Sequence, residues 1–185
     1  KGISAIGYST HKHILVDGTT YLVDGERQYP IHVFGEHNLQ NLNGALQVCL
    51  QLGLGKKQFY KAIQSFTGAS KRLELVMETK HSVVYKDFAH SPSKLKATTK
   101  ALSSQFPERN LVACMELHTF SSLNSTFLKQ YKGTMENADK AFVYFNPETL
   151  KHKKLNEISS KDVMNAFDTQ NVKVFTDSSL LVKEL

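Results

Sequence analysis

Apolar positions follow two rhythms along this chain, and the change from one to the other divides it. Up to Phe34 the runs are short and β-rich, "ISAIGYS" and then "HILVDGTTYLVDGERQYPIHVF", with "DGTT" and "DGER" supplying the turn chemistry between strands. From Asn38 the spacing becomes three and four, through Leu39, Leu42, Leu46 and Cys49, which predicts a helix running to about Gly53. "LGLGKKQ" breaks that helix, and a second is expected around residues 59–66. "FTGASKR" reads as a junction, because the helical period ends, small residues follow, and the chain resumes as a strand at "LELVMET". A domain boundary is therefore expected near Ser70.

Beyond it, strands and helices alternate. "SVVYKDF" predicts a strand; "SPSKLKATTKALSSQF" predicts a helix with Ser91 as N-cap, Pro92 in the first turn, and Leu95, Thr98, Leu102 and Phe106 on one face. "NLVACME" follows as a strand and "NSTFLKQYKGTMENA" as a helix carrying Phe127, Tyr131 and Met135. "KAFVYFN", "SKDVMNAF" and "NVKVFTD" then read as strand, helix and strand, while "LKHKKLNE" reads as a solvated connection. Short apolar strands separated by helices predict an α/β fold with a mainly parallel sheet covered on both faces. Sites in such sheets lie at the carboxyl ends of the strands.

Composition narrows the class. Hydrophobic residues make up 41% of the 185-residue chain, which excludes a disordered polymer. No run approaches the roughly 18 apolar residues of a membrane span. The net charge of +6 comes from scattered lysines, not from the dense basic stripe with interleaved aromatics of a nucleic-acid groove. Cys49 and Cys114 lie in apolar segments without metal-ligand spacing, and are read as buried, reduced thiols of a cytoplasmic protein. The start at Lys1 without a methionine is read as that of a fragment.

The candidate chemistry sits where strands and helices change over. "DFAHSP" puts Asp87 and His90 between an apolar strand and the helix that starts at Pro92, a setting that favours phosphate and, through a carboxylate, ribose hydroxyls. The alternative is that both are local turn and capping groups. Asn38 and Asn41 stand one helical turn apart in "FGEHNLQNLNGAL"; a primary amide pairs with the N6 and N7 of adenine, and the alternative is an N-cap and an exposed neighbour. Arg72, just past the junction, can clamp a terminal phosphate or make a surface ion pair.

"GEHNLQNLNGAL", "FTGASKRLE", "DFAHSPSKLKATTKAL" and "ENADKAFVY", in that order, resemble the second half of a Mur ligase. These are the ATP-dependent amide ligases of peptidoglycan precursor synthesis, with the patterns G-x-H-N-x-x-N, Arg followed by an apolar residue and an acid, and D-[YF]-[AG]-H-x-P. The resemblance implies that residues 1–70 are the C-terminal portion of the central ATP-binding domain, and that 71–185 are a Rossmann-like C-terminal domain. It also implies that Asn38 and Asn41 sit by adenine, that Arg72 reaches the γ-phosphate as the catalytic residue, and that Asp87 and His90 contact the nucleotide.

The cofactors implied are ATP and Mg2+. The phosphate loop, the magnesium ligands and the carbamylated lysine of the family are not found in this sequence and are expected upstream, so this chain alone is expected to be inactive. The partners implied are UDP-N-acetylmuramate and an amino acid or peptide, bound against His118, Thr119, Ser121 and Ser122 in "MELHTFSSLN"; the alternative for His118 is a strand-end histidine filling a hydrogen-bonding niche. Thr119 and Ser122 stand where the muramate:alanine ligases carry arginines, and the wording resembles the branch that recycles murein tripeptide, L-alanyl-γ-D-glutamyl-meso-diaminopimelate. The L-alanine ligase, a folylpolyglutamate-type ligase and a non-catalytic nucleotide-binding module are the other readings.

Overall fold

A computed structural model describes residues 5–168 and 170–185. By their internal contacts the residues form two compact units. The first runs to Asp87 and takes in Ser104–Phe106; the second comprises Phe88–Ser103 and Pro107–Leu185.

In the first unit β1 (His13–Val16), β2 (Thr19–Asp24) and β3 (Arg27–Ile31) form an antiparallel sheet in that order. Val16 pairs with Thr19 and Asp24 with Arg27, so each turn has two central residues, Asp17-Gly18 and Gly25-Glu26. Asp17, Gly18 and Gly25 take positive φ, the backbone hand that matches strand twist in tight hairpins. The strand expected over "ISAIGYS" is not found: Ile3 and Ser4 lie outside the described residues, and 5–9 have no regular structure. This segment pairs with a helix instead. Asn43 donates its amide to the Ser9 carbonyl at 2.8 Å, and the Tyr8 ring lies where Gly44 leaves room, since a Cβ there would come within 3.0 Å of it.

α1 (Glu36–Gln51) and α2 (Lys56–Ile63) start two and three residues before the expected points. Leu39, Leu42 and Leu46 pack with Leu22, Ile31, Phe59 and Tyr60 into the core of this unit. Tyr60 is pinned by the ring of Tyr29, stacked at 4.6 Å, and by a 2.8 Å hydrogen bond with His11 Nε2. β4 (Glu74–Glu78) and β5 (Val83–Lys86) form an antiparallel pair with a bulge between Leu75 and Met77. β5 thus pairs with its own predecessor and not with the parallel sheet; the short "TKHS" link, tied by Thr79 and Ser82, permits a hairpin where a parallel crossover needs a dozen residues or more.

The second unit is built on β6 (Val112–Glu116), β7 (Lys140–Tyr144) and β8 (Val172–Phe175), parallel throughout and ordered β6-β7-β8. α3 (Pro92–Gln105) precedes β6, and α6 (Ser160–Phe167) lies between β7 and β8 in sequence. Leu117, Leu123, Tyr131, Val143, Phe145, Val163 and Phe167 are at the centre of the core. The parallel sheet flanked by helices is the α/β class expected.

Three expectations change here. The long helix over "NSTFLKQYKGTMENA" is only α4 (Ser125–Leu128) and one 3-10 turn, Lys129–Tyr131, because Gly133 turns left-handed and gives its N–H to the Phe167 carbonyl at 3.0 Å. "LKHKKLNE" is not all solvated connection: α5 (Pro147–His152) runs into it, started by Asn146, which accepts from Glu148 N–H, and held by the buried Leu150. Cys49 and Cys114 are free thiols, but Cys49 is only half-buried and Cys114 exposed, on the outward face of β6 beside Val112 and Glu116. A last helix, α7 (Ser178–Glu184), is capped by Asp177.

Candidate functional site

α1 begins without a side-chain cap. Its N-cap is Gly35, at φ +86, and not Asn38. Asn38 lies inside the first turn, half-buried, and its amide donates to the Phe34 carbonyl at 2.9 Å, which fixes the side chain and leaves its oxygen to accept. Asn41, a turn further on, is exposed. His37 lies between Glu36 and Asn38 and received no role from the sequence. Burial pushes its imidazole below the ordinary range; the Arg72 guanidinium reinforces that and the Asp87 carboxylate opposes it. His37 is therefore within electrostatic reach of both Arg72 and Asp87, which belong to the same unit. The signal that would have found His37 is its place beside Asn38 in the first turn of an uncapped helix.

Arg72 is carried by a strained turn. Its neighbours Lys71 and Leu73 have φ of +57 and +44, a region that costs a non-glycine residue about 1–2 kcal/mol. Glu74 offsets this: its carboxylate accepts from Lys71 N–H at 2.7 Å and from the Ser70 hydroxyl at 3.2 Å, bonds that hold its own pKa below the usual range. The buried Leu73 anchors the turn and Arg72 stands exposed.

In the second unit His90 and His118 flank Phe88, with ring centres 4.7 Å and 6.2 Å from it. The His90 carbonyl accepts from the Tyr131 hydroxyl at 2.7 Å, and its Nδ1 lies 3.2 Å from the Phe88 carbonyl. Burial pushes the Tyr131 phenol up to about 12, so it stays a donor. After β6, the Ser122 hydroxyl accepts from Thr119 N–H at 3.0 Å while Thr119 Oγ1 accepts from Ser122 N–H at 3.0 Å. Ser122 is buried and spends its hydroxyl inside this turn, whereas Ser121 is exposed at its tip. Among the described residues no group of three or more His, Cys, Asp or Glu is arranged to hold a metal ion.

The parallel sheet and the groups at its strand ends define an α/β domain of the kind that binds ligands along the carboxyl edge. Residues 71–185 match the model of the Mur ligase, glutamate ligase domain. The chain belongs to the Mur ligase family.

Curated relatives include the UDP-N-acetylmuramate–L-alanine ligase of Desulfitobacterium hafniense, 24% identical over 145 residues, covering 78% of this chain and 32% of the relative. The enzyme of the same name from Caldicellulosiruptor bescii is 35% identical over 113 residues, 61% of this chain and 24% of the relative. The chain thus spans a third or less of the length of these relatives. Among solved structures, MurF from Acinetobacter baumannii superposes with a TM-score of 0.66 at 14% identity, over 94% of this chain and 36% of that one. A murein peptide ligase from Psychrobacter arcticus gives 0.56 at 19% identity, over 90% and 35%. At these identities the superpositions show the fold.

Proposed function

We propose that this chain is part of a cytoplasmic ATP-dependent ligase that joins an amine to the carboxylate of UDP-N-acetylmuramate through an acyl phosphate. In this reading residues 1–70 close the central ATP-binding domain and 71–185 form the C-terminal domain. The observation that supports it most directly is the match of residues 71–185 to the Mur ligase, glutamate ligase domain; beside it, His37 in the first turn of α1 senses the charges of both Arg72 and Asp87.

Each group has a task that suits its chemistry. Arg72 gives a fork of donors to the transferring phosphoryl group and spreads its charge. Asp87 accepts from ribose hydroxyls. Asn38, whose amide nitrogen is already committed to Phe34, offers its oxygen to the adenine amino group, and Asn41 pairs alongside it. His90, on a turn fixed by Tyr131, donates to the nucleotide, and His118, Thr119 and Ser121 face the amine, with Ser122 shaping their loop. ATP supplies the activating phosphoryl group when bound; the residues named here hold and orient it.

Two amines compete. The absence of a cation from residues 118–122 supports the murein tripeptide, because this loop is not that of an arginine-bearing alanine site. The names of the curated relatives support L-alanine. The test is ADP release by the full-length protein with UDP-N-acetylmuramate, given L-alanine or the tripeptide, with the products identified by mass. Turnover with the tripeptide alone establishes the recycling reading, turnover with alanine alone the other, and turnover with neither refutes both.

A further inference from the structure

β6 and β7 end side by side. Glu116 is in register with Tyr144, and Leu117 N–H donates to the Tyr144 carbonyl at 2.8 Å. The segments that leave them, 118–122 and 146–154, therefore start from the same carboxyl edge of the parallel sheet. They meet again further out. Lys153 Nζ stands 3.9 Å from the centre of the Phe120 ring, and that ring is 62% exposed.

Of the nearby cations, Lys151 is engaged by Glu148 at 2.7 Å, whereas Lys153 has no ion pair to a carboxylate among the described residues. Lys153 caps the end of α5, and Lys154 then turns left-handed at φ +53, which stops the helix there. An aromatic face attracts an ammonium through its quadrupole but carries no net charge. Phe120 therefore fixes where the ammonium stands without neutralising it, and the positive charge is left for an anion. The adjoining loop, His118 to Ser122, has hydroxyls and an imidazole but no permanent cation of its own.

We propose that Lys153, held over Phe120, is the specificity residue that binds a carboxylate of the amine substrate. This rests on the ligase reading above. The substrate class it selects is an amine that also bears a carboxylate, an amino acid or a peptide with a free acid, and the anchor comes from the segment after β7 and not from the loop after β6. A single ammonium on a flexible stem suits one carboxylate in several orientations, where an arginine fork demands one plane.

The experiment measures KM for the amine, KM for ATP and kcat in the full-length protein, with each amine offered as the free acid and as the amide: L-alanine against L-alaninamide, and the tripeptide against the form amidated at all three of its carboxylates. In the wild type the amide has a KM about tenfold above the acid, the loss of one charge-assisted hydrogen bond. Lys153→Met raises the KM of the acid to that of the amide and leaves the KM for ATP unchanged. Lys153→Arg keeps the discrimination, and Phe120→Leu weakens it by a few fold while its KM for ATP reports an intact fold. Wild-type turnover with an acid-to-amide ratio unaltered in Lys153→Met overturns this proposal alone, as does an equal rise for both forms. No wild-type turnover with either amine overturns the ligase reading and this anchor with it.

Discussion

Tyr131 ties the second unit's core to its candidate site, and removing one oxygen tests that tie. The residue is fully buried, its ring is stacked on Phe167 at 5.0 Å, and its hydroxyl donates to the His90 carbonyl at 2.7 Å. Tyr131→Phe keeps the ring and its packing, so the loss is confined to the hydrogen bond. A buried bond of this kind contributes about 1–1.5 kcal/mol net. For a chain of this length each kcal/mol moves the melting temperature by about 2–4 °C, so the variant should melt roughly 2–6 °C below the wild type. The pH dependence gives a second reading. Burial holds the folded Tyr131 phenol up at about 12, while in the unfolded chain it returns to about 10. The contribution of the protonated phenol is therefore complete below about pH 10 and is lost as pH rises through the folded value. The gap between wild type and variant should narrow over that window. Thermal unfolding followed by circular dichroism from pH 7 to 11 measures both. Equal melting temperatures at pH 7, or a gap that does not change above pH 10, would refute the assignment of this bond.

Other consequences are simpler. Asn124 accepts from Thr126 and Phe127 N–H at the start of α4, so Asn124→Ala should lower unfolding free energy by about 1 kcal/mol in urea titrations. His37 has a lowered folded pKa, so its neutral form contributes stability above its ordinary 6.5 that is lost as pH falls below it; in His37→Gln the decline between pH 7 and 5 should be shallower, and an identical decline would remove His37 from its buried setting. In the full-length protein Arg72→Ala should mainly lower kcat and Asp87→Ala mainly raise KM for ATP; wild-type kinetics in both would take these residues out of the site. The purified 185-residue chain, which has no glycine-rich phosphate loop, should release no ADP, and measurable release would sink the domain reading.

Periodicity located most of the elements because each is decided locally. Leu39, Leu42 and Leu46 can face one core only as a helix, and the helices expected after Asn124 and Ser159 are started by those side chains through hydrogen bonds within three residues, whereas the start that Asn146 gives α5 was missed. What was not legible depends on partners distant in sequence. Residues 5–9 carry a strand-like composition, yet Asn43 takes one of their carbonyls and Gly44 admits the Tyr8 ring, 34 and 36 residues away in the chain. The helix expected after Asn124 stops early because the Phe167 carbonyl draws off the Gly133 N–H. His37 was passed over for the same reason. Its lowered pKa follows from burial and from the guanidinium at position 72, against the carboxylate at position 87, and no window around it contains these.

The turn at Arg72 shows why a site of this kind resists reading from propensity. Asn or Gly would normally occupy the left-handed positions, but Lys71 and Leu73 hold them. Strain of this size persists only where the surroundings over-determine the conformation. Two constraints do so here: the Leu73 side chain is buried, and Glu74 binds the backbone and side chain of the residues just before Arg72. Glycine at 73 would remove the strain and the anchor together, freeing the backbone on the C-terminal side of Arg72. The bulky residue in the unfavourable conformation therefore gives the guanidinium a fixed origin, as the role proposed for Arg72 on a phosphoryl group would require.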